Sequence, residues 1–127
     1  MFFFNLLKKN LGFTLQTAYN YAATLKDLRR FEEARSLMRK TIPVARRVLG
    51  ESNELSIKLR WSYTEALYLD AGATLDDLRE AVTTLEDAER IARRVLGGAH
   101  PVIVDMERSL RVARAALRAR EAQPGEA

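Results

Sequence analysis

Seven residues, Val44-Ala45-Arg46-Arg47-Val48-Leu49-Gly50, return almost letter for letter as Ile91-Ala92-Arg93-Arg94-Val95-Leu96-Gly97, 47 residues later. An apolar run ending in Leu-Gly marks a helix terminus, because glycine takes up the left-handed backbone that closes a helix. A helix end copied at this spacing points to a solenoid, one supersecondary unit recurring along the chain. Each such unit leaves an apolar flank open, and the next unit covers it.

Between these marks the apolar spacing is helical throughout. Leu15, Ala18, Tyr21, Ala22, Leu25 and Leu28 fall at three- and four-residue steps. They predict a helix from Thr14, its N-cap, to Leu28, with that set buried. After a turn at Arg29-Arg30, a second helix carries Ala34, Leu37, Met38 and Ile42 on its buried stripe and ends at Leu49-Gly50. Pro43 inside it cannot donate to the carbonyl of Arg39. Either the helix kinks there or Thr41 caps a fresh one; the unbroken second copy favours the kink.

Glu51-Ser52-Asn53-Glu54 is a polar loop. A third helix, Leu55 to Leu69, turns Leu59, Tyr63, Ala66 and Leu67 inward. Asp70-Ala71-Gly72-Ala73-Thr74 breaks it, and Thr74 caps a fourth, with Asp76 and Asp77 at its positive end. That helix carries Leu78, Ala81, Val82, Leu85, Ala88, Ile91, Ala92 and Val95 to a stop at Gly97-Gly98. A fifth, Pro101 to Arg120, carries Val104, Leu110, Ala113 and Leu117, with Arg108, Arg111, Arg114, Arg118 and Arg120 as the polar face of a cap. Leu25 and Leu67 are 42 residues apart, whereas Gly50 and Gly97 are 47 apart. The second unit therefore carries an insertion near Gly72.

The expected fold is all-α. Residues 14–120 form a repeat domain, with unit one at 14–50, unit two at 55–97 and a capping helix at 101–120. Residues 1–13 are an N-terminal remnant or partial helix, and 121–127 a flexible tail. In the opening Met1-Phe2-Phe3-Phe4-Asn5-Leu6-Leu7-Lys8-Lys9 the lysines follow the apolar run, the reverse of a signal peptide. It reads as the last turns of an earlier repeat, stopped at Gly12.

Composition narrows the function classes. No apolar run approaches the ~20 residues of a membrane span. The absence of cysteine excludes disulfides and thiolate metal sites, and a cytoplasmic protein is expected. A net charge of +4 admits nucleic acid or an acidic partner. The arginines alternate with acids, however, as in Arg29-Arg30-Phe31-Glu32-Glu33, which is the pattern of a solvated helix face.

The units resemble tetratricopeptide repeats, and more particularly those of kinesin light chains. The large and small residues of the repeat fall on Ala18, Tyr21, Ala22, Leu25, Ala34 and Met38 in the first unit. In the second they fall on Arg60, Tyr63, Thr64, Leu67, Ala81 and Leu85. Asn20-Tyr21-Ala22, Arg30-Phe31-Glu32-Glu33-Ala34 and Val95-Leu96-Gly97-Gly98-Ala99-His100-Pro101 are similar to light-chain segments. In departure from the pattern, Arg60 and Thr64 stand where packing residues belong, Arg29 replaces the turn glycine, and Asn53-Glu54 replaces His-Pro. The resemblance implies a right-handed stack that binds extended peptides, with Asn20 matching the asparagine used there.

No catalytic constellation is visible. His100, the single histidine, precedes a proline in a loop and is expected to cap and shape it. The carboxylate pairs Asp76-Asp77 and Glu32-Glu33 lie at helix starts, where the macrodipole accounts for them. Neither a phosphate loop nor a metal-ligand cluster is present, so neither enzyme activity nor a cofactor is expected.

Binding is the expected function, to a protein or peptide partner, with an acidic one among the candidates. In arrays of this type the first helix of each unit lines a concave groove. Its expected residues are Tyr19, Asn20, Lys26, Lys58, Trp61, Glu65 and Arg108. Asn20 can bond a peptide backbone, Tyr19 and Trp61 offer flat area, and Lys58 and Arg108 suit an acidic side chain. The disfavoured alternative is nucleic acid or an acidic partner on a ridge of Arg46, Arg47, Arg93 and Arg94. A third class, a purely structural array, would self-associate through its open ends.

Overall fold

The computed structural model describes residues 11–123. Five helices follow one another: α1 (Leu11–Asp27), α2 (Phe31–Leu49), α3 (Glu54–Tyr68), α4 (Leu75–Leu96) and α5 (Pro101–Glu121). No strand occurs among the described residues. Each helix packs on the next, and α1 also meets α3 as α3 meets α5. The result is two layers, with α1, α3 and α5 in one and α2 and α4 in the other, as expected of stacked helical hairpins.

Two apolar clusters fill the stack. Leu15, Ala18, Ala22, Leu25, Ala34, Met38, Leu59 and Leu67 belong to the first. Ile57, Val82, Leu85, Ile91, Ile103, Met106 and Leu110 belong to the second. Helix α3 contributes to both and touches all four other helices. It is therefore buried nearly all round, including Arg60, Ser62 and Thr64. Arg60 is compensated by Asp87 of α4 at 2.6 Å, and Thr64 Oγ1 donates to the Trp61 carbonyl at 2.6 Å.

The helix ends repeat as well. Gly50 and Gly97 close α2 and α4 at φ 90° and 87°, with ψ 156° and 150°. That is the region essentially reserved for glycine rather than the compact left-handed helical one. Asn53 and His100 then cap α3 and α5 by accepting from the amides of Leu55 and Val102. Thr74 and Asp77 exchange the reciprocal bonds of a capping box. At the first hairpin, Arg29 adopts φ 61°. The Arg30 amide donates to Leu25 O and the Arg29 amide to Lys26 O, which is a Schellman closure in the position glycine favours.

The insertion is folded. The Asp70 carboxylate accepts from the Gly72 amide at 2.9 Å and from Arg35 at 3.0 Å. Both bonds hold its pKa below the usual carboxylate range, the Gly72 amide contributing most. Ala73 is buried, and its carbonyl accepts from Arg120 of α5.

Several sequence expectations change. Helix α1 runs through Gly12, so Leu11-Gly12 is not a stop, and Thr14 is buried inside the helix rather than capping it. The rest of the proposed N-terminal remnant and the end of the tail lie outside the described residues. Tyr21 and Leu28, expected inside, are 49% and 62% exposed. Val48, Val95 and Val104 are exposed too, while Ile103 and Met106 take the core positions of α5. Helix α2 continues across Pro43 without a fresh start. Thr41 is buried and donates back to the Leu37 carbonyl instead of capping.

Candidate functional site

The site grows from the shared layer of α1, α3 and α5. On α1, Asn20 is exposed and accepts from Gln16 Nε2 at 3.1 Å. Tyr19 is only half-exposed, because it packs on the first cluster. About two helical turns beyond Tyr19, Lys26 crosses to Glu65 of α3 at 2.6 Å, and this partly buried pair ties the two first helices together. Lys58 pairs with Glu54 at 3.1 Å and borders a hollow of about 300 Å³ that includes Gln16 and Asn53.

A cleft of about 410 Å³ lies between α3 and α5, lined by Trp61, Glu65, Tyr68, Arg108, Ser109 and Val112 among others. Trp61 is half-buried, and its Nε1 donates to Ser109 Oγ at 3.0 Å, which fixes the indole across the helix junction. Burial pushes the Tyr68 phenol above its ordinary pKa, and Ser109 opposes that shift. Arg108 pairs with Asp105 at 3.1 Å on the rim. The chemistry offered is aromatic floor, apolar edge and exchangeable ion pairs. Exposed pairs of this kind are worth ~0.2–1 kcal/mol, so a ligand can replace a partner at little cost.

The expected residues are thus partly assembled. Trp61, Glu65 and Arg108 share the cleft, and Lys26 reaches it through Glu65. Lys58 belongs to the neighbouring hollow, while Asn20 lines neither. Ser62, at the position matching Asn20, is 3% exposed and its hydroxyl has no partner, so it is no part of an open clamp. Ser109 was not singled out from the sequence. Its signal was present, since it stands 47 residues after Ser62, one repeat on.

The outer arginines divide in two. Arg46 pairs with Glu51, and Arg93 pairs with Glu89 at 2.6 Å and Glu107 at 3.0 Å. Those two carboxylates raise the Arg93 pKa, Glu89 most. Arg47 and Arg94 are exposed without an ion-pair partner among the described residues. His100 is a helix cap, with Nδ1 accepting from the Val102 amide at 3.1 Å.

No helix among the described residues is long and apolar enough to cross a membrane. Comparison with known proteins finds one family model, described as Tetratricopeptide repeat, matching residues 14–54. No curated protein and no solved structure matches. The matched stretch covers most of α1, all of α2 and the loop into α3. Together with the hairpins stacked beyond it, this match supports a tetratricopeptide-repeat protein, a repeat class that serves protein–protein interaction.

Proposed function

We propose that the chain is a kinesin-light-chain-like adaptor that takes an extended peptide of a partner protein along the α1–α3–α5 layer. The observation that carries this reading is the α3–α5 cleft, where Trp61, Tyr68 and Val112 surround space for a side chain beside exchangeable charges. Asn20 stands exposed on the same layer, available to a peptide backbone. Lys58 and Arg108 are already paired with Glu54 and Asp105, so the groove favours an apolar anchor over a purely acidic peptide. A cytoplasmic setting fits a chain without cysteine.

Trp61 is the sole tryptophan, so its fluorescence reports on the cleft directly. Selection from a random peptide library should yield sequences that shift this emission saturably. Their binding should weaken at least tenfold in Val112→Glu and Asn20→Ala, and persist in the double variant Arg47→Glu/Arg94→Glu. Library peptides that bind without moving Trp61 emission, or equally well to Val112→Glu, would sink the proposal.

The second reading, nucleic acid or an acidic partner on the outer ridge, has Arg47 and Arg94 in its favour, since neither is neutralised. It predicts binding of a single-stranded oligonucleotide that falls steeply with salt and is lost in Arg47→Glu/Arg94→Glu.

A further inference from the structure

Helix α3 carries a filled and an open version of one constellation. In the filled one, Arg39 of α2 lies over the Tyr63 ring at 5.6 Å and donates to the Tyr63 hydroxyl at 3.1 Å. That hydroxyl donates in turn to Glu80 of α4 at 2.5 Å. An aromatic ring and a carboxylate thus seat one guanidinium. On another face of α3, Trp61, Tyr68 and Glu65 line the α3–α5 cleft. Among the described residues no cation lies over either of these rings, and Arg108, the cleft's own cation, is turned to Asp105.

We propose, on the basis of the cleft as the peptide site, that it is an arginine acceptor: the partner peptide inserts one arginine, its guanidinium against the Trp61 and Tyr68 rings and paired to Glu65, its stem along Leu69 and Val112. Glu65 meets Lys26 through Oε1, and Lys26 comes from α1, outside the cleft lining. A carboxylate can accept again at its second oxygen. Asp87 does so in this molecule, serving Arg60 through Oδ2 and Arg90 through Oδ1. The negative charge reaches the cleft floor: burial is the main cause of the raised Tyr68 pKa, and Glu65 adds to it. An incoming carboxylate would meet that charge in a partly buried place, whereas a guanidinium is drawn to it. Leu69 and Val112 are exposed, and an arginine stem covers such surface while its head stays with the acid. Lysine fits less well, because a planar, weakly hydrated guanidinium stacks on rings and a strongly hydrated ammonium does not. A carboxylate at position 112 would draw Arg108, four residues before it, into the place of the incoming arginine. That accords with the loss expected of Val112→Glu.

The probe is a random library of short peptides without tryptophan, read by the emission of Trp61, the sole tryptophan of the chain. Peptides that shift this emission saturably should share an arginine. Replacing it with citrulline, which removes the charge and keeps the shape, should weaken binding by about tenfold or more. Replacement with lysine should cost less, and replacement with glutamate should abolish binding. Glu65→Gln should weaken the arginine peptide by a similar factor and leave the citrulline peptide little changed. Loss of the Lys26 bridge alone would not produce that coupling, and circular dichroism checks that the helices remain. Peptides that move Trp61 emission without an arginine, or that bind equally well as citrulline forms, overturn the arginine acceptor and leave the cleft as the peptide site. Equal losses of both peptide forms in Glu65→Gln overturn it too. A library that yields no peptide moving Trp61 emission removes both readings together.

Discussion

Arg60 and Asp87 are an unequal pair: the arginine side chain is 6% exposed, the aspartate side chain is 38% exposed, and they meet at 2.6 Å. The second terminal nitrogen, Arg60 Nη1, is buried without a partner. A residue that repeat chemistry would make small or apolar has become a buried cation, held by one acid that also serves Arg90.

Removing the acid should therefore hurt more than removing the pair. Asp87→Ala leaves Arg60 uncompensated and is expected to cost towards the low end of ~3–5 kcal/mol, since water still reaches part of the site. Arg60→Met should be close to neutral or stabilising, because it also removes the orphaned nitrogen. Urea denaturation of both variants decides the order. Equal losses would count against the pairing.

Acid should loosen the same junctions. Hydrogen bonding to Arg60 holds the Asp87 pKa below its ordinary value, and the Gly72 amide with Arg35 does so for Asp70. A carboxylate depressed in the folded state stabilises above its unfolded pKa, ~3.9, and the gain disappears as pH falls through the lower folded value. Thermal melting points should be flat from neutrality to about pH 5 and drop below about pH 4. The drop should be shallower in Asp70→Asn, measured relative to that variant's own neutral value.

The two stop glycines should be sensitive for a backbone reason alone. A β-carbon at Gly50 or Gly97 would meet nothing within 4 Å, yet both sit near φ 90°. Gly50→Ala and Gly97→Ala are each expected to cost ~1–3 kcal/mol without any clash. The converse holds at Arg29, whose φ is 61°. Arg29→Gly relieves ~1–2 kcal/mol of left-handed strain but gives up ~0.5–1 kcal/mol of cation–π contact with Phe31, seen at 5.3 Å. A small rise in melting temperature is the expected result, and a fall would show that the cation–π contact dominates.

The corresponding caps should be exchangeable. Asn53 and His100 do the same work one repeat apart. His100→Asn should leave the melting temperature nearly unchanged, while His100→Ala should cost ~1 kcal/mol. If both variants lose the same amount, the imidazole is doing something beyond capping.

Helix α4 was legible almost completely. It lies at one side of the stack, so Leu78, Ala81, Val82, Leu85, Ala88, Ile91 and Ala92 form one clean stripe and are all buried. Helix α3 was legible in position but not in environment. Enclosed by four neighbours, it has no solvent side for a periodic pattern to reveal, and so spacing alone does not mark Arg60 and Ser62 as buried. Tyr21 was misjudged for the opposite reason. Its spacing is that of a core residue, but the position is 49% exposed in α1, whereas in α3 the matching Tyr63 is covered by α2. At the candidate site, Trp61, Glu65 and Arg108 were found from the expected groove face, whereas Ser109 depends on contact between α3 and α5. Single-helix spacing carries no information about that contact.

The loop that breaks the repeat rhythm has a kinetic meaning. Arg120 reaches the Ala73 carbonyl across 47 residues of chain, and Arg35 grips Asp70 from the other side. Repeat arrays ordinarily form from neighbour to neighbour, with either end free to come and go. Here the last helix must arrive before the loop is fully set, and the loop in turn anchors that helix far from its start. Helix α5 is thus drawn into one cooperative unit with the middle of the chain. Hydrogen exchange along α5 should slow together with that of α3, instead of showing the gradient of a fraying end.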